Sequence, residues 1–150
     1  MKAVLQRVSS ASVTVDGQIV GEIGKGLLIL VGVEQGDTDA DSTYLAQKTV
    51  ELRIFNDDDG KMNLSLADVG GQALIVSQFT LIADWKKGRR PGFSRAAKPE
   101  EGKRLYEHYV ECVRKQGITG GTGIFGAHME VALVNDGPVT LLLETESKSV

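Results

Sequence analysis

Two short segments carry most of the side chains that could do chemistry in this 150-residue chain. The first is Ser77-Gln78-Phe79-Thr80-Leu81, which offers two hydroxyls and an amide. Read as a strand, it puts Ser77, Phe79 and Leu81 on one face and Gln78 and Thr80 on the other. An ordinary amphipathic strand fits the same letters. The second segment is Asn135-Asp136-Gly137-Pro138-Val139-Thr140. Asn-Asp-Gly-Pro is turn chemistry, and Pro138 has no N–H to give to a ladder. On the residues alone its peptide bond is expected to be trans, because only about 5–6% of X-Pro bonds in folded proteins are cis.

The usual catalytic groups are scarce. There are two histidines, His108 and His128, and neither has metal-type spacing with cysteine or carboxylate. The one cysteine, Cys112, falls on the apolar face of an expected helix and reads as core. These facts disfavour a zinc hydrolase and a Cys-His enzyme. Asn56-Asp57-Asp58-Asp59-Gly60 invites a calcium reading. Aligning Gly60 with loop position 6 leaves Phe55 and Leu66 where an EF-hand needs carboxylates, so a solvated turn is expected. Gly121-Thr122-Gly123-Ile124-Phe125-Gly126 has the dinucleotide-binding letters, but follows a helix and opens a strand, the reverse of what that site needs. Those glycines are expected where backbone passes close to backbone or to a ligand. Gly92-Phe93-Ser94-Arg95-Ala96 is one residue short of a nucleophile elbow and lacks the strand-to-helix turn that an elbow requires.

Charge is unevenly placed. The chain carries −3 overall, yet residues 83–98 hold six cations (Lys86, Lys87, Arg89, Arg90, Arg95, Lys98) against Asp84 alone. Phosphate binding needs a local basic patch rather than a basic protein. Trp85 and Phe93 are interleaved with those cations, as expected where phosphates are gripped and a base or ribose stacks. A solvated loop is the plain alternative.

The elements that must position these residues are readable in outline. A chain of this length buries roughly 68–70% of its unfolded surface, so one domain over residues 1–150 needs no staple. A single thiol forms no internal disulfide, which suits a reducing compartment. No apolar run approaches the ~20 residues that span a bilayer, and the first residues lack a signal-type apolar stretch. Strands are expected at 2–8, 12–15, 18–22, 26–33 and 72–82, with a last pair at 126–135 and 140–145. Asp16-Gly17 marks a hairpin. Thr38 with Asp41 resembles a capping box, and a helix should run to about Arg53 with Leu45, Thr49 and Leu52 inward. Pro99 followed by Glu100 and Glu101 opens a second helix, which carries Leu105, Tyr109, Cys112 and Val113 inward and stops at Gly117. Residues 144–150 are polar and expected to fray. This gives an α+β fold: a mostly antiparallel, barrel-like sheet with two helices.

At 77–81 and 135–140 the chain resembles the D-aminoacyl-tRNA deacylase family, whose paired signatures these look like, and the likeness extends over essentially the whole chain. The resemblance implies a cytoplasmic homodimeric esterase with no metal or organic cofactor. It acts on tRNA esterified with a D-amino acid and clears glycine mischarged on tRNA. It also implies that Gly137-Pro138 is a cis-proline motif reaching into the partner subunit's pocket, where main-chain carbonyls exclude an L side chain. Gln78, Phe79 and Thr80 become the expected catalytic residues, and Gly137, Pro138, Ser77, Arg7 and Met129 the expected substrate-binding and selectivity residues. Lys86, Lys87, Arg89 and Arg90 become the expected tRNA contacts. Thr80 lacks an assigned base, and a threonine nucleophile needs one, so it is expected to orient while water attacks. A non-catalytic tRNA-binding module and a metal-free esterase of small molecules remain as rivals.

Overall fold

The computed structural model describes residues 1–146. The chain runs β1 (Lys2–Val15), β2 (Gln18–Ile23), β3 (Gly26–Gly32), α1 (Asp39–Glu51), β4 (Phe55–Asn56), β5 (Met62–Leu64), β6 (Gln72–Ser77), a single 3₁₀ turn (Phe79–Leu81), α2 (Pro99–Lys115), β7 (Gly120–Thr122) and β8 (Glu130–Glu144). The main sheet has the order β2-β1-β3-β6-β7, with β8 on the other edge of β1. Strand β1 is antiparallel to β2, β3 and β8, whereas β3–β6 and β6–β7 are parallel. The sheet is therefore mixed, which amends the mostly antiparallel expectation. Parallel neighbours need a long crossover, and α1 and α2 lie in the two that this sheet uses.

The sheet curls into a nearly closed barrel with the helices outside. One core layer lies inside the curl and contains Val8, Val13, Leu28, Leu74 and Val76. The other lies between sheet and helices and contains Leu5, Ile29, Ile75, Leu45, Leu105 and Tyr109. Alternation along β3 and β6 feeds both layers, which explains their nearly continuous apolar sequence. Closure depends on small residues: a Cβ on Gly21 of β2 would sit 2.6 Å from the Thr122 carbonyl oxygen of β7.

Several local expectations agree with the structure. Asp16 and Gly17 both take positive φ (49° and 76°) in the β1–β2 hairpin. Thr38 caps α1, and the reciprocal bond to Asp41 completes the capping box. Pro99 is the first residue of α2, and Gly117 has positive φ just past its end. Helix packing is pinned by a buried 2.6 Å hydrogen bond between the Thr49 and Tyr109 hydroxyls, and burial pushes the Tyr109 phenol up from its ordinary pKa.

Three expectations need correction. Residues 2–15 form one strand rather than two, because β8 pairs along nearly all of it. The strand expected over 72–82 stops at Ser77, so the two-face alternation assigned to 77–81 does not apply. The last two strands are one irregular element starting at Glu130, not 126. The expected fraying of 144–150 lies outside the described residues from 147 onward, while Glu144 pairs with Lys2 and Thr145 N–H donates to the Met1 carbonyl at 2.9 Å. No helix among the described residues is long and apolar enough to cross a membrane.

Replacing Thr38 with Ala removes the acceptor for the Asp41 N–H. The expected cost is about 1 kcal/mol, read as a lower denaturant midpoint with an unchanged slope.

Candidate active site

The end of β6 builds the most chemically suggestive place in the molecule. Gln78 N–H still donates to the Val31 carbonyl (2.8 Å), continuing the β3–β6 ladder by one bond. The chain then tightens: Leu81 N–H reaches the Gln78 carbonyl (3.2 Å) and Ile82 N–H reaches that of Phe79 (2.9 Å). Gly32 permits this approach, since a Cβ there would lie 3.0 Å from the Gln78 carbonyl oxygen. Buried Ile82 anchors the far end of the turn. The N–H groups of Phe79 and Thr80 open the turn, where a helical backbone lacks internal acceptors. Neither donates to a protein group among the described residues. The Gln78 amide donates to the Thr80 hydroxyl oxygen, leaving the hydroxyl proton free to point elsewhere.

A pocket of about 580 Å³ opens beside this turn. Ser77, Gln78 and Phe79 form one side, Met129 and His128 another, and Phe93 and Phe125 supply aromatic walls. Phe93 meets Phe79 edge-on with centroids 5.3 Å apart, and Phe125 leans on Tyr106 of α2 at 6.1 Å. Met129 is seated by a missing side chain, because a Cβ on Gly123 would fall 2.5 Å from its sulfur. That gives the glycine-rich stretch a specific job. Phe125 and His128 were not singled out for this pocket by sequence reasoning; nothing in their spacing separates them from ordinary strand-flanking residues.

Gly137 and Pro138 are elsewhere in the chain's own fold. They are exposed and do not line the pocket. Their peptide bond is cis, which corrects the trans reading drawn from residues alone. The turn is held from beneath by Arg7, which is only 6% exposed. Arg7 Nε donates to the Asp136 carbonyl at 3.0 Å, and Nη1 donates to the Ile54 carbonyl at 2.9 Å and to Asn56 Oδ1 at 3.2 Å. Asn135 Nδ2 ties the turn's two ends by donating to the Arg7 and Val139 carbonyls. Gly137 has φ 129°, and a Cβ there would lie 2.5 Å from Arg7 Nη2.

The four cations Lys86, Lys87, Arg89 and Arg90 stand exposed on a loop whose neck is closed by reciprocal 2.8 Å bonds between Asp84 and Gly92. Among the described residues none of the four is in an ion pair, whereas Arg95 pairs with Glu34. One further constellation imitates a hydrolase triad. His108 Nδ1 lies 2.9 Å from Ser42 Oγ and its Nε2 lies 3.8 Å from Asp39. Ser42 has 0% exposure and donates to the Leu105 carbonyl, so no substrate reaches it and the group is a helix–helix fastening. Cys112, half-buried, lies 3.7 Å from the same imidazole.

The family model described as D-Tyr-tRNA(Tyr) deacylase matches residues 4–144. The chain belongs to the D-aminoacyl-tRNA deacylase family. It is thereby an enzyme, a hydrolase. Among curated relatives, the D-aminoacyl-tRNA deacylase of Pelobacter propionicus is 62% identical over 96% of this chain and 99% of its own. That of Geobacter sulfurreducens is 60% identical over 99% and 98%. Among solved structures, one described as c-Myc DNA Unwinding Element Binding Protein is 40% identical with a TM-score of 0.92, covering 98% of this chain and all of that one (100%). A probable eukaryotic D-amino acid tRNA deacylase shares the fold at TM-score 0.78 and 19% identity, over 95% of this chain and 97% of its own.

In this deacylase fold, Arg7→Ala would leave the Ile54 and Asp136 carbonyls without their donor. The expected loss is about 1–3 kcal/mol, measured by denaturant unfolding. Arg7→Lys keeps the charge but offers one nitrogen where two now bond, so it should recover only part of that loss.

Proposed function

We propose that this chain hydrolyses the ester of D-aminoacyl-tRNA, and of glycine mischarged on tRNA, to free amino acid and tRNA, and that it refuses the L-aminoacyl ester. The observation that carries the reading is the pair of unpartnered N–H groups, Phe79 and Thr80, opening a turn beside an aromatic-walled pocket. An aminoacyl ester is already labile in water, so orientation and oxyanion stabilisation contribute more than a strong nucleophile. Water attacks the carbonyl carbon, and the two N–H groups receive the negative charge that develops on its oxygen. The proton from water passes through the ribose 2′-hydroxyl to the leaving 3′-oxygen as the ester C–O bond breaks. Ser77 and Gln78 hold the aminoacyl group, Met129 packs against it, and Thr80 orients it.

Refusal of the L ester is assigned to Gly137 and Pro138 of a partner subunit. Their exposure in one chain, away from their own pocket, supports a shared site. So does β8, whose exposed apolar residues Leu133, Val134 and Leu142 suit a second copy. Main-chain carbonyls at that edge leave room for hydrogen but not for an L side chain, and glycine passes because it has none. Lys86, Lys87, Arg89 and Arg90 grip tRNA phosphates.

The test is release of amino acid from D-, L- and glycyl-tRNA and from a small ester, all in EDTA. Release from the D and glycyl forms alone is expected. Equal release from D and L would sink the steric filter, and loss of activity in EDTA would sink the metal-free chemistry. Thr80→Ala should lower kcat by about an order of magnitude, the size of one hydrogen bond. Abolished turnover with tRNA binding intact would instead make Thr80 the nucleophile.

A further inference from the structure

A second concavity adjoins the site and has no role in the reading above. It measures about 370 Å³, and Trp85, Lys86, Arg95, Lys2, Glu34 and Glu144 are among its lining. The two pockets share a wall one residue thick. Val33, Phe93 and Ala96 face the larger pocket, while their chain neighbours Glu34, Gly92 and Arg95 face the smaller. That wall is fixed by a bridge between Glu34 and Ala96 and by the Gln35 N–H bond to the Arg95 carbonyl at 2.9 Å. A strand that leaves the larger pocket over this wall enters the smaller one next.

Trp85 has the character of a platform there. It is 71% exposed, the most exposed of the large apolar side chains among the described residues. Its position is nevertheless set, because Asp84 before it is locked to Gly92 by two backbone bonds. The charges around it are mixed. Arg95 is spent on Glu34, and Asp84 and Glu144 add negative charge to the lining. Lys2 and Lys86 balance those two carboxylates, so the lining has no surplus positive charge and offers acceptors to the exocyclic amino group of a base. The free cations Lys86, Lys87, Arg89 and Arg90 lie along the loop that begins at Trp85, where a backbone would run. Aromatic stacking with cations alongside is how single strands are held.

We infer that Trp85 stacks a base of the single-stranded 3′ end of tRNA, immediately upstream of the terminal aminoacyl-adenosine. The inference rests on the proposed function, since it needs the terminal nucleoside in the larger pocket. Trp85 is a positioning residue for substrate and touches no reacting atom.

The chain contains one tryptophan, so its fluorescence reports on this position alone and does not depend on turnover. Titration with a short RNA ending in CCA should change the emission, and adenosine should not. Kinetically, Trp85→Ala should raise KM for D-aminoacyl-tRNA roughly 5- to 150-fold, the span of one stacked base, with kcat unchanged. Trp85→Phe should keep most of the affinity. D-aminoacyl-adenosine, which has no upstream base, should be hydrolysed equally by all three proteins. Unaltered emission with the RNA, or equal losses by Trp85→Ala on both substrates, would overturn the inference. Absent hydrolysis of both substrates by the unmodified protein would instead overturn the proposed function, and the fluorescence result would still decide whether Trp85 binds RNA.

Discussion

A strand has two edges, and β1 uses both along almost its entire length. Its first half pairs with β3, its second half with β2, and β8 runs along the opposite edge of both. At the join the ladder with β8 slips. Gln6 faces Thr140 and Val8 faces Asn135, so Arg7 alone stands opposite the four residues 136–139. A bulge of that size leaves main-chain groups without ladder partners, and buried ones must find others. Arg7 supplies them from the side, taking the Asp136 carbonyl on one flank and the Ile54 carbonyl on another. The Gly137–Pro138 edge is thus held by a buried cation whose own donors need those same carbonyls. Each satisfies the other, which is why the edge can project without being loose.

The pocket arises from a different limit. Strand β6 can extend only while β3 offers partners, and β3 ends at Gly32. One more bond, from Gln78 to Val31, carries the chain past the end before it tightens into the 3₁₀ turn. The two N–H groups that open the turn are what that geometry leaves over. Both halves of the proposed site are therefore irregularities where a ladder runs out, one braced by backbone bonds to β3 and the other by the Arg7 and Asn135 side chains. Such a scaffold suits a task in which the groups that act are themselves peptide units.

How far the sequence disclosed this depends on the range of the interactions. The capping box at Thr38, the Asp16-Gly17 hairpin and Pro99 at the head of α2 are decided within four residues of chain, and all were legible. Parallel pairing of β3 with β6 was legible in principle, since a helix lay between the two expected strands. The stop at Ser77 was not, because it is imposed by the length of β3 and no proline or glycine marks it. The burial of Arg7 was equally hidden: its acceptors lie 47, 49 and 129 residues away. The cis bond at Pro138 has no local signal beyond proline itself. The pairing of the two motifs pointed to chemistry, but the single chain keeps them apart.

That separation bears on how selectivity and catalysis divide. In the proposed arrangement, with the edge supplied by another subunit, the wall would take its position from the fit of two β8 faces, while Phe79 and Thr80 depend on β3 and β6. Changes at the subunit contact would then shift discrimination between D and L before they alter the rate with glycine, which has no side chain to meet the wall. Glycine would then separate the two proposed functions, because it would meet the proposed oxyanion donors in full and the proposed chiral edge hardly at all.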